Sequence, residues 1–266
     1  MIISDMYQFA FIHIPKCAGT TVRNMLLDYD DLKGAHTSRI DTHPVLGHLD
    51  YVHIPLFTLR EHFPDLFAKV TAYQSFTIVR DPYSRFTSAL FQRIDRNCPT
   101  PARLMTQDEL EHEACKVMEF LRENGGQNVL LPPEYIHFQR QSDFIFLNGE
   151  KVLDAIYTTQ QIDLLQTVLE QKIGQTLRVP QNDTIKNNKS QVFKNDTLRV
   201  LFRYLSPLQK RLVPLLPASF KAMTKQLVFK ERKSGGVDLA KLDDVRAFVE
   251  EYYAEDLLIM RSLEND

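Results

Sequence analysis

Short apolar runs alternate along this chain with longer stretches in which apolar residues recur at helical spacing. Phe9-Ala10-Phe11-Ile12-His13-Ile14 is apolar but for one histidine and reads as a buried strand. Val22, Met25, Leu26 and Leu27 follow on one helix face. Ser75-Phe76-Thr77-Ile78-Val79 reads as a second buried strand, followed by the helical stripe Phe86, Leu90, Phe91 and Ile94. Between them, Asp30 to Tyr51 is polar and broken by Gly34, Pro44 and Gly47, and Pro55 to Leu66 is a short amphipathic helical region interrupted at Pro64. Gln107 to Glu123 and Gln161 to Ile173 are predicted helices, and Phe144 to Phe146 and Ala155 to Tyr157 predicted strands.

The C-terminal third is helical, with Leu198 to Leu205 first, Pro207, Pro214 and Pro217 as punctuation, and Leu239 to Leu258 after Gly235-Gly236. Strands alternating with helices predict an α/β fold with a central, mostly parallel sheet flanked by helices. Such a sheet takes ligands at the carboxyl ends of its strands. The whole chain, 1–266, is expected to form one domain, with a helical insert at about 98–135 and a helical part at about 198–266.

Composition narrows the classes. Hydrophobic content of 44% and charged content of 25% are ordinary for a soluble globular chain. A net charge of −2 excludes a generally nucleic-acid-binding surface while leaving room for a local basic pocket. Cys17, Cys98 and Cys115 are too few and scattered for a disulfide framework or a zinc site. No apolar run reaches membrane-spanning length and no signal peptide opens the chain, so a cytoplasmic location is expected.

The candidate chemistry starts where the first strand ends. Pro15 stops the ladder for want of an N–H, and Lys16-Cys17-Ala18-Gly19-Thr20-Thr21 leads into the helix. Gly19 is expected to permit a tight turn. Strand, short loop and helix aim free backbone N–H groups at an anion, and a lysine with two hydroxyls adds donors. The same arrangement also describes an ordinary turn with a solvated lysine. The triphosphate-binding pattern G-x-x-x-x-G-K-[ST] is absent, because Lys16 precedes the glycine.

The second strand ends in Arg80-Asp81-Pro82-Tyr83-Ser84-Arg85-Phe86-Thr87-Ser88. Asp81 suits an N-cap and Pro82 the first helical position. Arg80 at a strand end presents a planar fork to a phosphate. Arg85 and Ser88, three apart, are able to share a helix face. Arg-Asp-Pro alone also fits a structural ion pair above a capped helix. The longer pattern V-R-D-P-x-x-R-x-x-S is more specific.

Together, P-K-x-[AG]-G-T-[TS] and V-R-D-P-x-x-R-x-x-S resemble the two phosphate motifs of sulfotransferases that use 3′-phosphoadenosine 5′-phosphosulfate (PAPS). The chain is similar in particular to the carbohydrate, heparan-sulfate 2-O-sulfotransferase-like branch. The likeness is strong over residues 9–93 and weaker at Tyr157, Asn182 and Tyr252 to Leu257. It implies a P-loop-like three-layer fold, PAPS as sulfate donor, 3′,5′-diphosphoadenosine (PAP) as product, and no metal.

The resemblance implies that Lys16 contacts the 5′-phosphosulfate, with Gly19, Thr20, Thr21 and the backbone of Cys17 and Ala18 completing the cradle. Arg80 and Ser88 would hold the 3′-phosphate. Gly47-His48-Leu49-Asp50-Tyr51 resembles the G-H-x-x-[YF] segment that carries the family's base, so His48 is the expected proton acceptor. His43 and His53 are reserves, and His13 is expected to be a core residue. A thiol beside a helix N-terminus, as Cys17 is, is expected to have a lowered pKa.

Lys186, Lys189 and Lys194 either close a loop over the nucleotide or form a solvated basic stretch. The N-x-[ST] sites at Asn182, Asn188 and Asn195 in that stretch read as loop composition. Arg60, Arg93, Arg96 and Arg103 either line a cationic acceptor pocket or form a solvated face. The acceptor would be a hydroxyl on a glycan, glycolipid or small molecule. The alternatives are an ATP-dependent phosphotransferase on a variant loop, and a nucleotide-binding module without catalysis.

Overall fold

Phe9–Ile12 (β2) is buried at every position because it lies between strands on both edges. In the computed structural model, which describes residues 1–37, 40–177, 191–193, 229–231, 239 and 242–265, it pairs antiparallel with Ile2–Ser4 (β1). On its other edge it runs parallel to Gln74–Val79 (β5), with Phe11 beside Phe76. Ala155–Thr158 (β8) adds a second parallel pairing, Ile78 beside Tyr157, giving the order β1-β2-β5-β8. The expected α/β architecture is therefore present, with three parallel strands and one antiparallel edge.

The helices follow the predicted stripes. Gly19–Leu26 (α1) buries Val22, Met25 and Leu26, and Pro82–Asn97 (α4) buries Phe86, Ala89, Leu90 and Ile94. Leu56–His62 (α2) and Pro64–Ala72 (α3) are separated where Pro64 starts a new helix. Gln107–Asn124 (α5) opens on a capping box in which Thr106 and Glu109 each accept the other's backbone N–H. Ile162–Ile173 (α6) ends at Gly174 in the left-handed conformation.

Two apolar clusters result. One surrounds the sheet and takes in α1, α2 and α6. The other joins α4 to α5 and to Asp243–Tyr252 (α7) through Phe86, Leu90, Val117, Phe248 and Tyr253. The insert and α7 thus share one core.

Some boundaries differ from expectation. His13 and Ile14 leave the ladder, since β2 ends at Ile12. Ser142–Phe144 is a 3-10 turn where a strand was expected, and only Phe146–Leu147 (β6) pairs, with Glu150–Lys151 (β7). The polar stretch after Asp30 contains a hairpin, Ile40–His43 (β3) and Gly47–Asp50 (β4), in which Thr42 faces His48. Gly47 turns it with φ of 68°. Beyond the sheet lie Gln191–Phe193 (β9), Phe229–Glu231 (β10) and Ala254–Asn265 (α8). Lys186, Lys189, Lys194, Asn182, Asn188, Asn195, the 198–205 helix, its prolines and Gly235-Gly236 lie outside the described residues. No helix among the described residues is long and apolar enough to cross a membrane.

Candidate functional site at the strand ends

β2 and β5 are parallel neighbours, so the loops leaving them emerge side by side. The first loop is wound tightly: Lys16 has φ of 67° and Ala18 of 57°, both left-handed. Non-glycine residues hold that conformation at a cost of about 1–3 kcal/mol each, and such strain concentrates at functional sites. Gly19, the residue expected to supply the turn, has another task. A Cβ there would lie 2.0 Å from His13 Cδ2, so the glycine lets the helix start against the His13 ring. His13 is buried, as expected of a core histidine.

The winding alternates directions. Lys16 is half-buried, Ala18 and Thr20 are exposed and Thr21 is half-buried. Cys17 is buried, with its thiol on Gln141 Oε1 at 3.2 Å. Burial pushes that thiol up to about 12, the reverse of the lowering expected at a helix N-terminus. Thr21 N–H donates back to Ala18 O at 2.9 Å. Ala18, the N-cap of α1, supplies no side-chain acceptor, so among the described residues no side chain caps the first turn.

Arg80 stands at the end of β5, and its Nη1 donates to Lys16 O at 3.5 Å. Asp81 caps α4 by accepting from Ser84 N–H at 2.8 Å. Lys16 Nζ donates to Gln92 Oε1 on α4. Ser88, Gln92 and Arg96 recur every fourth residue, so the side of α4 that meets Lys16 carries all three. Arg85 is engaged elsewhere. It is buried against Asp256 of α8 at 3.5 Å and donates to His137 O at 3.2 Å. The three-residue spacing of Arg85 and Ser88 stands, but Arg85 is committed to an interior ion pair.

Lys16, Arg80 and Arg96 meet no carboxylate within ion-pair distance among the described residues. Burial, then the charges of Arg80 and Arg96, pull the Lys16 ammonium down to about 8. A cation whose nearest charges are cations is a site short of negative charge. Arg93, by contrast, is occupied by Glu113 at 3.7 Å and by the Tyr135 hydroxyl at 2.8 Å. Arg60 and Arg103 are exposed.

Gln141 ties the two loops together and is absent from the sequence expectations. Its Nε2 donates to Arg80 O and its Oε1 accepts Arg80 N–H, both at 2.9 Å. Its own N–H donates to Asp256 Oδ2 at 2.9 Å. Gln92 is the other residue the sequence did not single out.

The histidines divide sharply. His48 is exposed on β4. His43 Nδ1 accepts Val45 and Leu46 N–H groups and so holds the hairpin turn. His53 is buried, its Nδ1 on His13 O at 2.9 Å, and burial drives its pKa down to about 3. His53 and His137 stand near Asp50, and these three are the described residues able to hold a metal. A cavity of about 890 Å³ between β8 and α8 is lined by Ser142, Asp143, Tyr157 and Glu255, and none of Lys16, Arg80, Ser88 or His48 reaches it.

A family model described as the sulfotransferase family matches residues 1–215. No curated protein and no solved structure matches the chain.

Proposed function

The chain belongs to the sulfotransferase family, and we propose that it moves the sulfuryl group of PAPS onto a hydroxyl of a carbohydrate or glycolipid. The observation that supports this most is the cluster of Lys16, Arg80 and Arg96 without a neutralising carboxylate, beside an uncapped helix N-terminus. Two separated phosphates on one nucleotide suit two cationic loops. Lys16 and the loop amides of Cys17, Ala18, Gly19, Thr20 and Thr21 take the 5′-phosphosulfate. Arg80 and Ser88 take the 3′-phosphate.

The chemistry is an in-line displacement. The acceptor oxygen attacks sulfur, its proton passes to His48, and the bond from sulfur to the 5′-phosphate oxygen breaks. PAP leaves carrying the extra negative charge, which Lys16 and the loop N–H groups stabilise. His48 is assigned as base from its G-H-x-x-[YF] context, and its exposure leaves the ring open to an acceptor, unlike buried His53.

Thermal shift tests the reading. PAP without magnesium should raise Tm, and ATP with magnesium should not; the reverse pattern points to the phosphotransferase. Transfer of labelled sulfate from PAPS to a glycan panel then separates an enzyme from a binding module.

A further inference from the structure

At the end of β4 the chain turns so that Asp50 and His53 stand together. Asp50 Oδ1 accepts Val52 N–H at 2.9 Å, and His53 N–H donates to Asp50 O at 3.3 Å. His137 arrives from a distant 3-10 turn, Ile136–Phe138. All three side chains are buried, and one ligand-type atom from each lies within 4.8 Å of the others. No hydrogen bond joins one of these side chains to another, and neither ring nitrogen of His137 has a partner among the described residues. Three ligand-type atoms that converge without bonding one another are arranged to share one cation.

The tautomer of His53 points the same way. A carbonyl only accepts, so the 2.9 Å contact with His13 O places the proton on Nδ1 and leaves the Nε2 lone pair free. A backbone carbonyl behind the far nitrogen is how proteins orient a metal-ligating histidine. Two ligands from one turn and a third from a remote segment leave a fourth position for water.

We propose that Asp50, His53 and His137 form a binding site for a divalent transition-metal ion of the zinc type. The charged groups acting on the cluster include Lys16 and Arg96, both cationic. Coulomb attraction alone is therefore a poor source of affinity, and imidazole ligation must supply it. That favours Zn²⁺ or Co²⁺ over Mg²⁺ or Ca²⁺, which want oxygen ligands. The proposal departs from the expectation that no metal is involved, and it does not depend on the sulfate donor.

Tag-free full-length protein, stripped with chelator, is titrated with Zn²⁺ by calorimetry. One equivalent should bind and raise Tm, Mg²⁺ should do neither, and His137→Ala should weaken binding at least about tenfold. A His62→Ala/His112→Ala control should bind as the parent does. Should His137→Ala fail to fold, Co²⁺ loading of the unmodified protein decides: d–d absorption that Zn²⁺ abolishes supports the site. No stoichiometric Zn²⁺ binding, a folded His137→Ala with parental affinity, equal Mg²⁺ binding, or no such Co²⁺ spectrum would each overturn it.

Discussion

Gln141 satisfies both backbone groups of Arg80, accepting its N–H and donating to its carbonyl, each at 2.9 Å. The same amide oxygen accepts the Cys17 thiol, so one side chain fixes the Lys16 and Arg80 loops relative to each other. Asp256 fixes Gln141 in turn through its backbone N–H. A strand end would otherwise leave those Arg80 groups without partners in a half-buried place.

Gln141→Ala should therefore lower stability by about 1–3 kcal/mol, the cost of buried groups left unpaired. PAP affinity should fall as well, because the Arg80 backbone loses its anchor. Urea denaturation and PAP titration of the same variant check both. A variant with parental affinity and lowered stability would confine Gln141 to a structural role.

Arg80 and Arg85 sit in one motif, and on the proposed function only Arg80 meets the nucleotide. Arg80→Ala should leave Tm close to parental and weaken PAP binding, since among the described residues its guanidinium hydrogen-bonds only the Lys16 carbonyl. Arg85→Ala leaves Asp256 buried with its charge unpaired, at a cost of about 3–5 kcal/mol. Comparing Tm and PAP affinity of the two variants reads this directly. Equal destabilisation by both would contradict the division.

That division also marks how far the sequence reaches. The strands β2, β5 and β8, the capped helix α4 and the Lys16 and Arg80 loops were legible because periodicity and turn chemistry are local signals. The ion pair of Arg85 was not legible, because spacing places residues on a helix but does not say what packs against them. Its partner, Asp256, lies more than a hundred residues away on α8. Gln141 carries no motif; its role exists only once two loops and a helix meet. The β3–β4 hairpin escaped because Ile40, Asp41 and Thr42 are all exposed, so no face is buried and no alternation results.

Cys17 offers a chemical check. Burial raises its pKa to about 12, so it has almost no thiolate at pH 8. Exposed Cys115 should be alkylated by iodoacetamide in the native protein while Cys17 stays protected until denaturant is added. Peptide mapping reads the order; rapid native labelling of Cys17 would show that the loop opens.

Gly19→Ala probes the contact with His13. The added methyl would sit 2.0 Å from the His13 ring, so ring or helix must shift, at about 1–3 kcal/mol. The shift lies at the start of the cradle, and PAP affinity should fall with stability. Chemical denaturation and nucleotide titration measure it. Parental behaviour in both would mean that the loop relaxes freely.

The pH dependence of nucleotide binding follows from Lys16. Its ammonium is lowered to about 8 in the ligand-free protein, so above that pH most molecules present a neutral amine. A bound phosphate restores the proton, because a nearby negative charge favours the cationic form. PAP binding should therefore take up a proton near pH 8 and weaken as pH rises through that value, with little change below it. Lys16→Arg keeps the charge at every accessible pH and should flatten the profile. Lys16→Ala should flatten it too, at uniformly lower affinity, and should cut turnover about a hundredfold or more, since it removes a donor to the leaving phosphate. Calorimetry in buffers of different ionisation enthalpy measures the proton directly. A parental protein whose PAP affinity holds steady from pH 7 to about 9 would show that Lys16 does not carry the charge that meets the nucleotide.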